Sequence, residues 1–152
     1  MKGQTAIEYL MTYGWAILII LIVAGVLAYY GIFAPAGFLA PTARGFGQIQ
    51  VLNPWSLVAA DGELKLNIEN RVGGEIDITG ATVTIGGNSY AYGDPGSAPL
   101  ASGNTTIIDF TTPSPAWTAA TSGSSYTATV TLDYDYQSEG FSSTGTISGT
   151  YS

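Results

Sequence analysis

The chain has 152 residues, four basic and eleven acidic side chains, a formal net charge of −7, and neither cysteine nor histidine. Without those two residue types there is no Ser-His-Asp triad, no cysteine nucleophile, no usual zinc ligand set and no disulfide to staple a small domain. From Arg44 onward three basic residues stand against ten acidic ones, a poor match for a nucleic-acid backbone.

The first element is an N-terminal helix. Met1-Lys2-Gly3-Gln4-Thr5-Ala6-Ile7-Glu8-Tyr9-Leu10 opens an apolar run in which no charge follows Glu8 until Arg44. An ordinary secretory signal has an apolar core of ~7 to 15 residues with a small-residue cleavage site beyond it. Here residues 15–34 alone supply about twenty, enough to cross a ~30 Å hydrocarbon slab as a helix. Residues 5–34 as one helix would extend ~45 Å, so part of it should project beyond the bilayer. Pro35 should end it, because proline lacks the N–H and its ring clashes with the preceding turn. Pro35-Ala36-Gly37 and Pro41 extend the break into a linker over residues 35–44. Tyr9, Tyr13 and Trp15 at one end, and Tyr29 and Tyr30 at the other, have the placement of interfacial aromatic belts. Lys2 directs the N-terminus to the cytoplasmic side.

A carboxylate in hydrocarbon costs several kcal/mol unless it is partnered; in a plain anchor Glu8, close to the helix start, would simply reach the interface, and the reading in which helices bundle gives it a partner in assembly. Gly3, Gln4 and Glu8, with Ile7-Glu8-Tyr9-Leu10-Met11-Thr12-Tyr13-Gly14-Trp15-Ala16, resemble the archaeal type IV pilins with a class III signal peptide. The resemblance covers about a fifth of the chain. It implies a leader, residues 1–3, cut between Gly3 and Gln4 by a membrane prepilin peptidase. It further implies a filament-core helix over residues 4–34, in which Glu8 of one subunit pairs with the new amine at Gln4 of a neighbour. The partners implied are other copies of the chain in a helical filament, a cytoplasmic assembly ATPase and a membrane platform protein, with no cofactor. The precursor would reside in the cell membrane and the mature subunit in an extracellular filament, its head exposed for adhesion or contact. Thr5 or the first-turn N–H groups offer Glu8 a competing partner within one chain. Gly14, Ala16, Ala24, Gly25, Ala28 and Gly31 would allow close helix approach.

Residues 45–152 read as one small all-β head. In residues 126–137 every even position is apolar or aromatic and every odd one polar, the pattern of a long half-buried antiparallel strand. Leu64, Leu66 and Ile68 alternate with Glu63, Lys65, Asn67 and Glu69 in a second strand. Ile76 and Ile78 give way after Gly80 to Ala81, Val83 and Ile85, a one-residue slip of phase that a bulge at Gly80 would repair. Gly86-Gly87-Asn88-Ser89 is expected as a hairpin turn into residues 90–92, with further strands at residues 47–52, 105–110 and 145–151. Six to eight short strands indicate a β-sandwich, immunoglobulin-like in layout, with a closed barrel as the alternative.

The head offers few chemical sites. Asp133 and Asp135 share one strand face and Glu139 is close in sequence, so a calcium site is conceivable, but a solvated outer face is the expectation. No catalytic, metal or cofactor site is expected. Asn104-Thr105-Thr106 is a sequon with no blocking proline, which makes Asn104 a candidate N-glycosylation site. Residues 111–115 and 118–125 could carry O-linked sugars, though a plain loop is expected. Trp55 and Trp117 are expected to be core more than sugar-binding surface. Two other functions compete with the filament subunit: a monomeric single-pass membrane-anchored binding domain, and a domain released by ordinary signal peptidase near residue 36 or 43.

Overall fold

A computed structural model describes residues 2–30 and 40–152 of the chain. Helix α1 covers Lys2–Tyr29, and the Tyr30 N–H still donates to the Val26 carbonyl at 3.0 Å. The expected continuation to residue 34 and the break at Pro35 lie outside the described residues. α1 is long and apolar enough to cross a membrane, and none of that span is buried. It and the β domain form separate compact units.

The β domain has eight strands: β1 (Thr42–Arg44), β2 (Ile49–Leu57), β3 (Leu64–Asn70), β4 (Asp77–Ile85), β5 (Asn88–Tyr92), β6 (Thr105–Phe110), β7 (Ser125–Tyr136) and β8 (Glu139–Thr150). They form two antiparallel sheets, β1-β8-β7-β4-β5 and β2-β3-β6. Counted from β2, the first, second and fifth strands share one sheet and the third, sixth and seventh the other. That is the immunoglobulin-like sandwich layout, with β5 paired onto β4 and β1 added outside β8. β1 lies inside the stretch expected as linker, because Thr42, Ala43 and Arg44 pair with Ser148, Ile147 and Thr146.

Alternation explains the layers. Along β7, Tyr126, Ala128, Val130, Leu132 and Tyr134 are buried, while Thr127 and Thr129 are exposed. They share one core with Ile49, Val51 and Leu57 of β2 and with Leu64, Leu66 and Ile68 of β3. Each large aliphatic fully buried there stabilises the head by ~1.5–3 kcal/mol. β3 and β7 carry aliphatics where antibody domains place their inter-sheet disulfide.

Three strands differ in extent from the sequence expectation. β2 runs on past Leu52 to Leu57, and its register with β3 breaks between Leu52 and Ser56, where Pro54 can donate no ladder bond. The two residues Gly86 and Gly87 alone make the β4–β5 turn, so Asn88 and Ser89 already belong to β5. β8 begins at Glu139, not near Gly145, and its inward positions include two glycines that mute the alternation. A Cβ on Gly145 would lie 2.5 Å from the Phe46 ring. The slip at Gly80 is a register shift between Ile78 and Gly80 in the β4–β7 pairing, as the phase change requires. Glycine is needed there because a Cβ would sit 2.9 Å from the Tyr92 carbonyl oxygen, not because the backbone turns left-handed.

Asn70, at the end of β3, is fully buried and fully used. Its Nδ2 donates to the carbonyls of Gly74 and Leu100, both at 2.8 Å, and its Oδ1 accepts from the Val72 N–H at 2.8 Å. One side chain thereby ties the β3–β4 connection to the segment before β6. Asn70→Ala strands the Val72 N–H and the Gly74 carbonyl and should lower head stability by about 2–4 kcal/mol. Chemical denaturation of the full chain in detergent, followed by near-ultraviolet circular dichroism, measures this; a loss under about 0.5 kcal/mol would remove Asn70 from this role.

Alkaline pH tests the aromatic core. Burial raises the Tyr92 hydroxyl, which donates to the Gly62 carbonyl at 2.7 Å, well above its ordinary value. Burial also pushes Tyr126 up to about 12, against a smaller opposing effect of its hydrogen bond with Trp55. Their contribution is full below the unfolded value of 10.0 and is lost as pH rises through about 12, because the unfolded chain ionises first. Head stability should therefore be level to about pH 9 and fall beyond about pH 10. A decline that starts near neutrality would assign control to other groups.

Candidate functional site

The residues picked out at the N-terminus all lie on the first three turns of α1. Gly3, Gln4, Thr5 and Glu8 are exposed. At 100° per residue, Gln4, Thr5, Glu8 and Thr12 fall within an arc of about 100°, a short polar stripe on an otherwise apolar cylinder. The Thr12 hydroxyl donates to the backbone carbonyl of Glu8 at 2.8 Å, a local helix bond that leaves the carboxylate untouched. Among the described residues the Glu8 carboxylate has no hydrogen-bond or salt-bridge partner, and the bond from Thr5 is not formed.

Farther along, Gly14 and Gly25 have nothing within 4 Å of the place a Cβ would occupy. Each weakens the helix by ~1 kcal/mol relative to alanine, and no contact among the described residues explains them. Gly3, Gly14 and Gly25 are spaced by eleven residues, close to three full turns, so they share one face.

Two cations of the head are paired at the surface. Lys65 lies 3.2 Å from Glu63 and 3.6 Å from Asp109, and Arg71 pairs with Glu69 at 2.9 Å. Such exposed pairs contribute little, ~0–1 kcal/mol each. Asp133, Asp135 and Glu139 do not converge, and among the described residues no three acidic side chains are placed to hold a cation. Asn104 is exposed in the turn before β6. Its backbone N–H donates to the Ala101 carbonyl at 3.1 Å and its carbonyl accepts from the Asn70 N–H at 3.0 Å, which fixes the turn. Trp117 packs on Tyr90 at 4.6 Å and donates its indole N–H to the Ala59 carbonyl at 2.9 Å. Trp55 is likewise half-buried against the core.

Sequence reasoning missed one feature of the head. The β7–β8 hairpin, twelve residues in each strand, outruns the seven-residue β3. At the overhang Phe141 is left half exposed, over the inward-facing Tyr134, which is buried in the core, and Tyr136, which is partly buried against it. Gln48, Val72 and Gly73 complete a recess of about 290 Å³ around them. A second recess of about 430 Å³ shares Gln48, Tyr134 and Phe141 and continues to Ser142 and Thr144. The only sequence signal is that apolar alternation runs on past the length of the strands it must cover.

No protein-family model matches the chain, and no curated protein matches it.

Proposed function

We propose that the chain is a structural, non-catalytic subunit of an extracellular type IV pilus-like filament, polymerising through α1 once residues 1–3 are removed. The observation that carries this reading is a helix apolar around its circumference, none of whose membrane-length span is buried, and whose single acidic residue is Glu8. An all-round apolar helix must be covered by lipid or by other helices. In lipid, the uncompensated carboxylate raises the energy of the dispersed subunit by several kcal/mol. In a bundle, the amine exposed at Gln4 of a neighbour neutralises it. The same charge can thus disfavour the stored state and favour the assembled one. Gly14 and Gly25 support the bundle, since a glycine face allows backbones to approach without the ridge that larger side chains impose.

On this reading a prepilin peptidase cuts the leader, a cytoplasmic ATPase supplies the work and a membrane platform protein transmits it. The precursor waits in the cell membrane with its head outside. The mature filament displays the head for adhesion or contact, with Asn104 as a candidate glycan attachment point. A passive membrane anchor, by contrast, has no use for the amine or for Glu8.

Two measurements separate these readings. Cell-surface protein should begin at Gln4, and replacing Gly3 by leucine should leave the leader attached; an intact Met1 on assembled native filaments would falsify the cut. Glu8→Gln keeps shape and hydrogen-bonding capacity but removes the charge that recognises an amine. Processed subunit in membranes should persist while subunit in sheared filaments falls at least tenfold, the effect of losing about 1.4 kcal/mol per assembly contact. Unchanged filament yield would leave Glu8 with a local role at the helix N-terminus.

A further inference from the structure

We infer that the open end of the sandwich, floored by Tyr134 and Tyr136 and topped by Phe141, is a binding site for a neutral saccharide. The site deepens the reading of the head as a contact surface but needs no filament. Phe141 is 48% exposed although it lies on the inward face of β8. It stacks on Tyr134 at 5.9 Å with 26° between the rings and meets Tyr136 at 6.5 Å, so the cluster is fixed from beneath. One aromatic surface is left in water with a recess on either side.

The chemistry of the rim selects the ligand. An aromatic face carries partial negative charge and attracts polarised C–H bonds, which a pyranose ring presents on one side. The hydroxyls at its edge need donors and acceptors close by. Gln48 supplies them: its Oε1 accepts from the Tyr134 hydroxyl at 3.4 Å, which orients the amide and leaves its NH₂ to donate. The Tyr136 hydroxyl accepts from Gln137 Nε2 at 3.1 Å and keeps its own proton to donate. Among the described residues no lysine or arginine lines either recess, so a phosphate or sulfate finds no counter-charge in the walls. A recess of about 290 Å³ is at the small end for ligand sites and suits one or two sugar rings. Gly73 is part of its wall, and a Cβ there would meet nothing within 4 Å, so a large side chain at this position has room beside the recess.

The test uses the full chain in polyoxyethylene detergent micelles, which contain no sugar headgroup. Saturation-transfer NMR is recorded with glucose, galactose, mannose, N-acetylglucosamine and their disaccharides, at concentrations around a Kd on the order of 1 mM. At least one sugar should receive saturation on its ring C–H protons. Phe141→Ala should weaken binding about three- to tenfold, the worth of one aromatic contact. Gly73→Leu should narrow the recess, and Gln48→Glu should weaken binding while keeping the acceptor for Tyr134. Near-ultraviolet circular dichroism establishes that each variant is folded. Absence of transfer to every sugar, or equal transfer to the native protein and the variants, overturns the site. So does a change of oligomer size in Phe141→Ala without any sugar binding, which would make the mouth a contact between copies. Because binding is read on unassembled protein, failure here leaves the filament reading intact, and failure to polymerise leaves the site testable.

Discussion

Everything in this chain is organised around a helix that cannot satisfy itself. α1 exposes apolar side chains on every side, and none of its membrane-length span is buried. In water that surface has no stable resting state, so a bilayer or a bundle must enclose it. The constraint gives meaning to features that would otherwise be minor. A single carboxylate becomes costly, and two glycines that meet nothing among the described residues become a face that permits close approach. None of these acts alone; each matters through the low-dielectric surroundings that the helix demands.

The head meets a different constraint: it must hold together without cysteine in about 110 residues. It does so by burying one continuous core between two sheets and by closing the ends with specific polar bonds. Asn70 binds the turns at one end, where a buried amide with all its partners is worth more than another aliphatic group. Ser143 performs a similar task between layers, donating from Oγ to the Ile49 carbonyl and accepting from the Gly47 N–H, both at 3.3 Å. The outer face of the larger sheet is spent on threonine and serine, with cross-strand hydroxyl pairs such as Thr131 and Thr144 at 2.9 Å. Such a face is wet and well suited to strands without inviting collapse.

In the proposed filament these two solutions divide the labour. The helix carries cohesion, which is non-directional apart from one ion pair and a glycine face. The head carries recognition, and its long hairpin leaves aromatic rings uncovered at the end of the sandwich. A shorter hairpin would have buried the same rings or dispensed with them.

Much of this was legible in the residues. The period-two pattern fixed β7, β3 and the bulge at Gly80, because alternation reports directly which side of a strand meets the core. The apolar length defined α1 as a long apolar helix, since that depends only on local order along the chain. Other features were invisible because they depend on what lies opposite. β8 was under-read where inward Gly145 makes room for the Phe46 ring, a requirement set by a residue about a hundred positions away. β1 hid in a linker composition because its pairing with β8, not its own sequence, makes it a strand. Asn70 looked like a strand end and proved to be a hub, as only the fold brings Gly74 and Leu100 to it. The aromatic mouth was least legible of all. Sequence alternation says that Tyr134, Tyr136 and Phe141 face inward, but only the fold decides that Tyr134 is covered while Phe141 is left in water.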